Sequence, residues 1–473
     1  MRVVLIAGLA VLLWSLTNVP WTLDDYDQAK QAYTSFEMVR QNHWLYQHTP
    51  NEGVATKPPL VGWVSAAIFE ATRNWEIAWR LPSFVAALAL LWLIARAANA
   101  ADGASAGLFA VSAFGLNLLS ARLATFVRTD MPLALVTFLI GLQIWQKIRR
   151  AETWSTRDRA ILCALLTAAM LIKGPIVYAF ILPGLIAYQT MRRRSGAPGG
   201  WSGWWPWIFS LAIFLAWVAG GIATQPGFYE SVVLKEFAGR FTETFHKPQP
   251  IYFYLPHLLQ KFAPWSLLSI GLTIVFWRTK TARGERLRPE TLWLICWSVG
   301  GLVLMSIIPS KRVDRIFPVV PPLCLLLGSQ VALATASGEL REKVRPWLRA
   351  SLIFACVFTA GYTAWKIETA HRQNKDALVR FASEVRATAA QQNLRYEVVG
   401  AREEGMLLYL RRDHFLAPDD AARAWQTNGV NALVLPNESF SRQKNSFANA
   451  RQLLLSGESP VVPRYVFIAR TAP

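Results

Sequence analysis

Apolar runs recur along positions 1–366, separated by polar loops. Several are long enough to cross a hydrocarbon core, which takes about 20 residues as a helix. The first, VVLIAGLAVLLWSLTNVPW at residues 3–21, reads as an anchor. A cleaved signal peptide is the competing reading, disfavoured because a small-x-small cleavage site is missing and many spans follow. Further runs begin near Pro82, Ala104, Met131, Ala160, Pro175, Trp204, Pro264, Thr291, Ile316 and Ala350. The pattern predicts about eleven transmembrane helices. Lys173-Gly174-Pro175 makes a very tight turn between two of them.

Two outer segments are long, residues 22–81 and 221–263. Within the first, LVGWVSAAIFEATR has apolar residues at helical spacing but is too short to span, which predicts an interfacial helix. After residue 366 the pattern changes. ALVRFASEVRATAAQQ reads as an amphipathic helix, and RYEVVGA, GMLLYLRR, NALVLP and RYVFIART as short β-prone runs between turns. The expected architecture is an α-helical polytopic membrane domain over residues 1–366, with a small soluble α/β domain over residues 367–473.

Composition supports this picture. Only 17% of residues are charged, against about a quarter in soluble domains. The 21 tryptophans fit aromatic belts at the bilayer boundary. A net charge of +19 would suit nucleic acid, but the basic residues sit in short clusters between apolar runs, so no nucleic-acid partner is expected. QKIRRAETWSTRDR, QTMRRRSG, WRTKTARGERLR and GELREKVRPWLR fall in alternate loops, which makes those loops cytoplasmic. The long loops and the C-terminus then face outward. Cys163, Cys296, Cys324 and Cys356 lie in apolar runs without zinc-site or disulfide spacing.

The outward segments carry the candidate chemistry. TLDDYDQAKQAY places Asp24 and Asp25 directly after the first run. One of them suits a helix N-cap, and the other is then available to accept a proton from an attacking hydroxyl. In ATKPPLVGW the prolines hold Lys57 just ahead of the interfacial helix, as a snorkelling lysine or as a phosphate ligand. Arg128 and Asp130 stand at the mouth of a span in ATFVRTDMPLAL, where capping and a salt bridge compete with a site role. Glu236 and Arg240 have the spacing of a helix-surface pair, and His246 alone does not make a metal site. Lys311, Arg312 and Arg315 in IIPSKRVDRIFPVVPP lie on the outer side, where the positive-inside rule disfavours cations. Cations on that side imply an anion to hold.

LDDY, TKPPLVGW, AWRLPSFVAAL, RTDMPLAL, LIKGP, EFAGRF…HKPQPIYFYLP…APW and PSKRVDRIFPVVPPLCLLL occur in that order over residues 1–335. Together they resemble the polytopic lipid-phosphate-sugar glycosyltransferases that include protein O-mannosyltransferases and bacterial aminoarabinose transferases. The resemblance implies that Asp24 is the catalytic acidic residue, with Asp25 beside it. It also implies that Lys57 faces the lipid phosphate and that Asp130 is a second acidic residue of the site. The sequence departs from the pattern at Thr56, which is Glu in the aminoarabinose branch, and at Arg315, where Tyr is frequent. It also lacks an arginine shortly after the acidic pair. The Thr56 change removes a metal ligand that the branch shares with a histidine, so no metal or other cofactor is required by this reading, and divalent-metal use stays open.

The expected activity is sugar transfer from a polyprenyl-phosphate donor to a glycolipid, glycan or protein at the outer face of a bacterial inner membrane. Asp24, Asp25 and Asp130 would be catalytic. Lys57, Arg128, Glu236, Arg240, Lys311, Arg312 and Arg315 would bind substrate or phosphate. A transporter or flippase of a lipid-linked sugar is the alternative, and would favour charges deep in spans and symmetric halves. A non-catalytic assembly factor would survive loss of Asp24.

Overall fold

The structure, a computed structural model, describes residues 1–23, 25–193, 199–240, 248–278, 287–336, 338–400, 404–427, 429–460 and 463–471. Its helices begin with α1 (Arg2–Thr17), α2 (Tyr26–Gln41), α3 (Leu60–Thr72), α4 (Trp75–Gly115), α5 (Leu118–Leu123), α6 (Asp130–Arg150) and α7 (Thr156–Lys173). There follow α8 (Ile176–Arg193), α9 (Trp205–Thr224), α10 (Tyr254–Lys261), α11 (Trp265–Arg278), α12 (Pro289–Ile307), α13 (Val320–Ala336) and α14 (Gly338–Arg372). The C-terminal helices are α15 (Ala377–Gln391), α16 (Glu404–Leu410), α17 (Pro418–Gln426) and α18 (Asn437–Arg442).

Helix lies at each position where the apolar runs predict a span. α4 supplies two of them, because Gly103, at φ +84°, breaks it in the middle. A side chain at that φ would be strained, so the glycine is what permits the break. Six helices are long and apolar enough to cross a membrane: α4, α6, α9, α12, α13 with the turn before it, and α14. α10 and α11, bent by 101°, make up to a seventh. α1 is shorter, and α7 carries charges at both ends. α4 begins seven residues before Pro82, because the Asn74 side chain accepts hydrogen bonds from the Glu76 and Ile77 amides. That N-cap outweighs the proline as a start signal.

Helix faces sort by polarity of surroundings. Trp92, Ile186, Ile208, Phe209, Leu215, Leu267, Val303 and Val357 are exposed and make the apolar outer shell that a bilayer requires. Inside, α4 packs on α13 and α8 on α12. The α8–α12 crossing is close enough that a Cβ on Gly300 would lie 2.4 Å from the Gly184 amide nitrogen. A Cβ on Gly184 would lie 2.7 Å from the Trp297 Cα. Backbone meets backbone there, and nothing can swing aside.

A short antiparallel pair joins β1 (His48–Thr49) to β2 (Gly53–Val54), and the C-terminal part holds a four-stranded sheet in the order β3-β4-β6-β5, with β3 (Tyr396–Val398), β4 (Ala432–Pro436), β5 (Ala450–Leu455) and β6 (Tyr465–Arg470). β3 runs parallel to β4, and the other pairings are antiparallel. Side chains divide with period two. Ala432, Val434, Tyr465, Phe467 and Ala469 join one core, whereas Leu433, Leu435, Val466 and Ile468 join another with Trp425 and Phe447. Both faces are covered, which is why β4 and β6 read as unbroken apolar runs.

GMLLYLRR is a correction: residues Glu404–Leu410 form helix α16, not a strand. All seven are buried, and a short run that is apolar all round does not distinguish strand from buried helix. α16 packs between α15 and α2. Ala29, Ala32, Tyr33 and Phe36 of α2 thus share a core with Phe381, Val385, Met406 and Phe467. The Leu23 amide donates to the Tyr409 hydroxyl at 2.6 Å, tying the segment after α1 to α16.

Gly184→Val is expected to lower the thermal midpoint of the detergent-solubilised protein by several degrees or to stop its accumulation, since overpacking costs about 1–3 kcal/mol. Gly271→Ala, whose Cβ meets nothing within 4 Å, serves as control and should leave the midpoint unchanged. Equal midpoints for Gly184→Val and wild type would mean that α8 and α12 separate at no cost.

Candidate functional site

A cavity of about 190 Å³ opens beside α2. It is lined from six places in the chain: Asp27, Lys30 and Thr34 of α2, Thr56 and Lys57, Arg128 to Asp130, Lys173, Glu236, and Arg312 with Asp314 and Arg315. Each reaches it for a local reason. Asp25 caps α2, accepting a hydrogen bond from the Asp27 amide at 3.0 Å, which sets Asp27 in the first turn. Pro58 and Pro59 keep Lys57 out of α3, which starts at Leu60. Ser83 of α4 donates to the Phe126 carbonyl at 2.7 Å, and the Val127 amide donates to Gln28 at 3.1 Å. Those two bonds hold the turn that presents Arg128. α6 begins at Asp130 and α7 ends at Lys173, so both residues stand at helix ends on one side of the bundle.

Charge pairing in the cavity is dense. Asp27 accepts from both Arg128 and Arg312. Arg128, 8% exposed, divides its guanidinium between Asp27 and Asp314. Asp314 also faces Arg122 at 3.4 Å. Lys173 pairs with Asp130, and Lys57 pairs with Glu236. Arg315 donates to the Ser310 carbonyl and hydroxyl at 2.8 and 3.0 Å. Burial pushes the Asp27 carboxyl up, but Arg128 and Arg312 outweigh it and hold it below the usual range. The cations Lys30, Lys57, Arg128, Lys173, Arg312 and Arg315 outnumber the carboxylates Asp27, Asp130, Glu236 and Asp314. A pre-formed excess of cations in a partly closed cavity suits a phosphate.

Six residues expected from the sequence are brought together: Lys57, Arg128, Asp130, Glu236, Arg312 and Arg315. Lys311 is a correction. It turns away and donates to the Gln249 carbonyl at 2.9 Å, and burial lowers its pKa. Next to Arg312 in the chain, it points elsewhere because the backbone there is extended. Asp25 acts as the cap and lines a second cavity of about 540 Å³ with Arg80, Arg122 and Lys261. Asp24, His246 and the Arg240 side chain lie outside the described residues. Asp27, Asp314 and Lys173 were missed. Each stands inside or beside one of the motifs, where the signal is an acid set among cations (VDR) and a lysine ending an apolar run before a Gly-Pro turn (LIKGP).

The family model for dolichyl-phosphate-mannose-protein mannosyltransferase matches residues 56–220. An undecaprenyl phosphate-alpha-4-amino-4-deoxy-L-arabinose arabinosyl transferase from Shewanella sediminis is 23% identical over 319 residues, covering 65% of this chain and 56% of that protein. One from Pseudomonas fluorescens is 27% identical over 314 residues, covering 64% and 51%. The chain thus spans little more than half the length of these relatives. In fold it is similar to the crystal structure of ArnT from Cupriavidus metallidurans bound to undecaprenyl phosphate, with a TM-score of 0.72 at 20% identity over 99% of this chain and 98% of that one. The archaeal oligosaccharyltransferase AglB from Archaeoglobus fulgidus, in complex with an inhibitory peptide and a dolichol-phosphate, aligns at a TM-score of 0.56 and 12% identity, over 94% and 70%. By sequence within residues 56–220 and by fold along nearly its whole length, the chain resembles the polytopic membrane glycosyltransferases that use polyprenyl-phosphate sugars.

Proposed function

We propose that this protein transfers a sugar from a polyprenyl-phosphate donor to a glycolipid, glycan or protein acceptor. The observation that carries the reading is the cavity in which Lys57, Arg128, Lys173, Arg312 and Arg315 converge between carboxylates. The acceptor oxygen attacks the anomeric carbon, the bond from that carbon to the phosphate oxygen breaks, and polyprenyl phosphate leaves with the electron pair. Asp24 takes the proton of a hydroxyl acceptor, or orients the sugar when the acceptor is already ionised. Lys57, Arg312 and Arg315 stabilise the charge that grows on the departing phosphate. Fixed cations do this without a divalent metal. Asp27 and Glu236 hold the arginines and Lys57 in place before the donor arrives. Their ion pairs loosen as phosphate takes over the cations.

One geometric relation supports an outward-facing site. α6 runs from Asp130 at the cavity to Lys147, Arg149 and Arg150, about 30 Å away for 21 residues of helix. With the basic end cytoplasmic, the cavity faces outward in the inner membrane. In this reading the chain crosses the bilayer eleven times, which six or seven helices of sufficient length and apolarity support in part, and residues 367–473 form a soluble α/β domain outside it, which their four-stranded sheet supports. A transporter reading draws no support from the charges: among the described residues the buried ones, such as Arg80, Arg128, Asp130 and Asp314, gather at one end.

Mass spectrometry of envelope glycolipids and glycoproteins from a deletion strain should show one sugar missing, which names the product. In a transfer assay on that product, Asp24→Asn is expected to cut turnover by about 10²-fold or more, with membrane insertion retained. Full turnover would move the base to another carboxylate. Arg312→Ala should weaken donor use by roughly 10²-fold, and Lys311→Ala much less. The opposite order would refute the placement of the phosphate. Asp27, whose carboxyl titrates below the usual 3.9, adds stability that is complete above that pH and lost as pH falls through its folded pKa. Asp27→Asn should therefore lower the thermal midpoint at pH 7, and the gap to wild type should close below about pH 4.

A further inference from the structure

Outside the cavity, one trio of side chains is arranged as ligands are. Glu37 lies in the last turns of α2 and is fully buried. Asn42 ends that helix at φ +63°, in the left-handed region, and reverses the chain. The reversal brings His43 back against Glu37. His48, in a short strand that pairs with Gly53–Val54, comes from the other side. Its Nδ1 lies 3.3 Å from Glu37 Oε1 and 2.9 Å from His43 Nδ1. The three ligand atoms all fall within 4.8 Å of one another.

Proton positions make the arrangement stranger still. His48 Nε2 sits 3.0 Å from the Gln225 Oε1, which only accepts, so that nitrogen carries the hydrogen. In the neutral ring Nδ1 is then a lone pair. It points at a carboxylate oxygen and at a second imidazole nitrogen, and one hydrogen on His43 cannot serve both. Glu37 Oε2 is meanwhile approached by the His48 amide at 3.4 Å. Among the described residues, the ion-pair partners of Glu37 are these two histidines.

We propose that Glu37, His43 and His48 bind one divalent transition-metal ion of the zinc class. Two imidazoles and one carboxylate suit such an ion and not magnesium or calcium, which take oxygen ligands. Gln225 holds the His48 ring in the ligating tautomer, and the His48 amide holds the second carboxylate oxygen. The side chain of His43 is 42% exposed, which gives the ion a path in and leaves the fourth position for water. Gln225 follows the last residue of α9, and the turn that leads to Glu236 starts just beyond it. The ion therefore fastens the first outer loop to the segment that presents Glu236 to Lys57. It does not touch the cavity, and the proposal stands apart from the glycosyl-transfer reading.

Untagged protein in detergent, stripped with chelator, is titrated with ZnCl2 by calorimetry and with CoCl2 by visible absorption. The expected result is one equivalent bound, tetrahedral Co²⁺ bands, and a thermal midpoint that rises with Zn²⁺. His43→Ala, at a ring that is 42% exposed, should lose binding. Gln225→Ala should weaken it by about 10–100-fold. His246→Ala should bind as wild type does. Wild type taking up less than a tenth of an equivalent, which would leave only a shared proton among the three groups, overturns the proposal. So does binding that survives His43→Ala but disappears in His246→Ala.

Discussion

Arg128 is the tie on which the cavity end of the molecule depends. A guanidinium at 8% exposure must be met by anions, because a buried charge without partners costs several kcal/mol. It is met by two: Asp27, from α2, and Asp314, from the turn before α13. Three regions remote in sequence are thereby clamped around one side chain. Removing either acid would leave the other to share an over-charged centre with Arg122 and Arg312. That coupling is useful for a site whose ligand is an anion. The acids hold the cations apart and oriented until a phosphate competes for them.

The clamp works because the scaffold on either side is stiff. Below it, α8 and α12 meet backbone to backbone at Gly184 and Gly300, and α4 runs along α13. Above it, α2 is not a free surface helix. Its apolar face enters the same core as α15, α16 and one face of the C-terminal sheet. The helix that carries Asp27 is thus gripped by the bundle at one end and by the C-terminal part along its length. A tail of this kind is easily taken for an appendage, yet its packing decides where Asp27 stands.

Cavity charge and its neighbours also explain why single-residue expectations diverged. Arg312 and Lys311 are adjacent in the chain and were given one role, but an extended backbone sends adjacent side chains to opposite sides. Arg312 meets Asp27, and Lys311 meets the Gln249 carbonyl. Asp25 and Asp27 are two apart at a helix start, where one caps and the other faces inward. GMLLYLRR failed for a different reason. Burial on every side removes the periodicity by which helix and strand are told apart.

What the sequence alone determined is local and periodic: where the apolar helices lie, which loops are basic, and where the chain turns at Gly174. Those features depend on neighbours a few positions away or on the solvent each segment must face. Only the tertiary structure decided the partners. Asp27 meets Arg128 across 101 positions and Arg312 across 285, and Glu37 meets two histidines because a left-handed Asn42 folds the chain back on itself. Pairing at such range is fixed by how helices pack, and a charge written in sequence does not say which opposite charge the packing will bring to it.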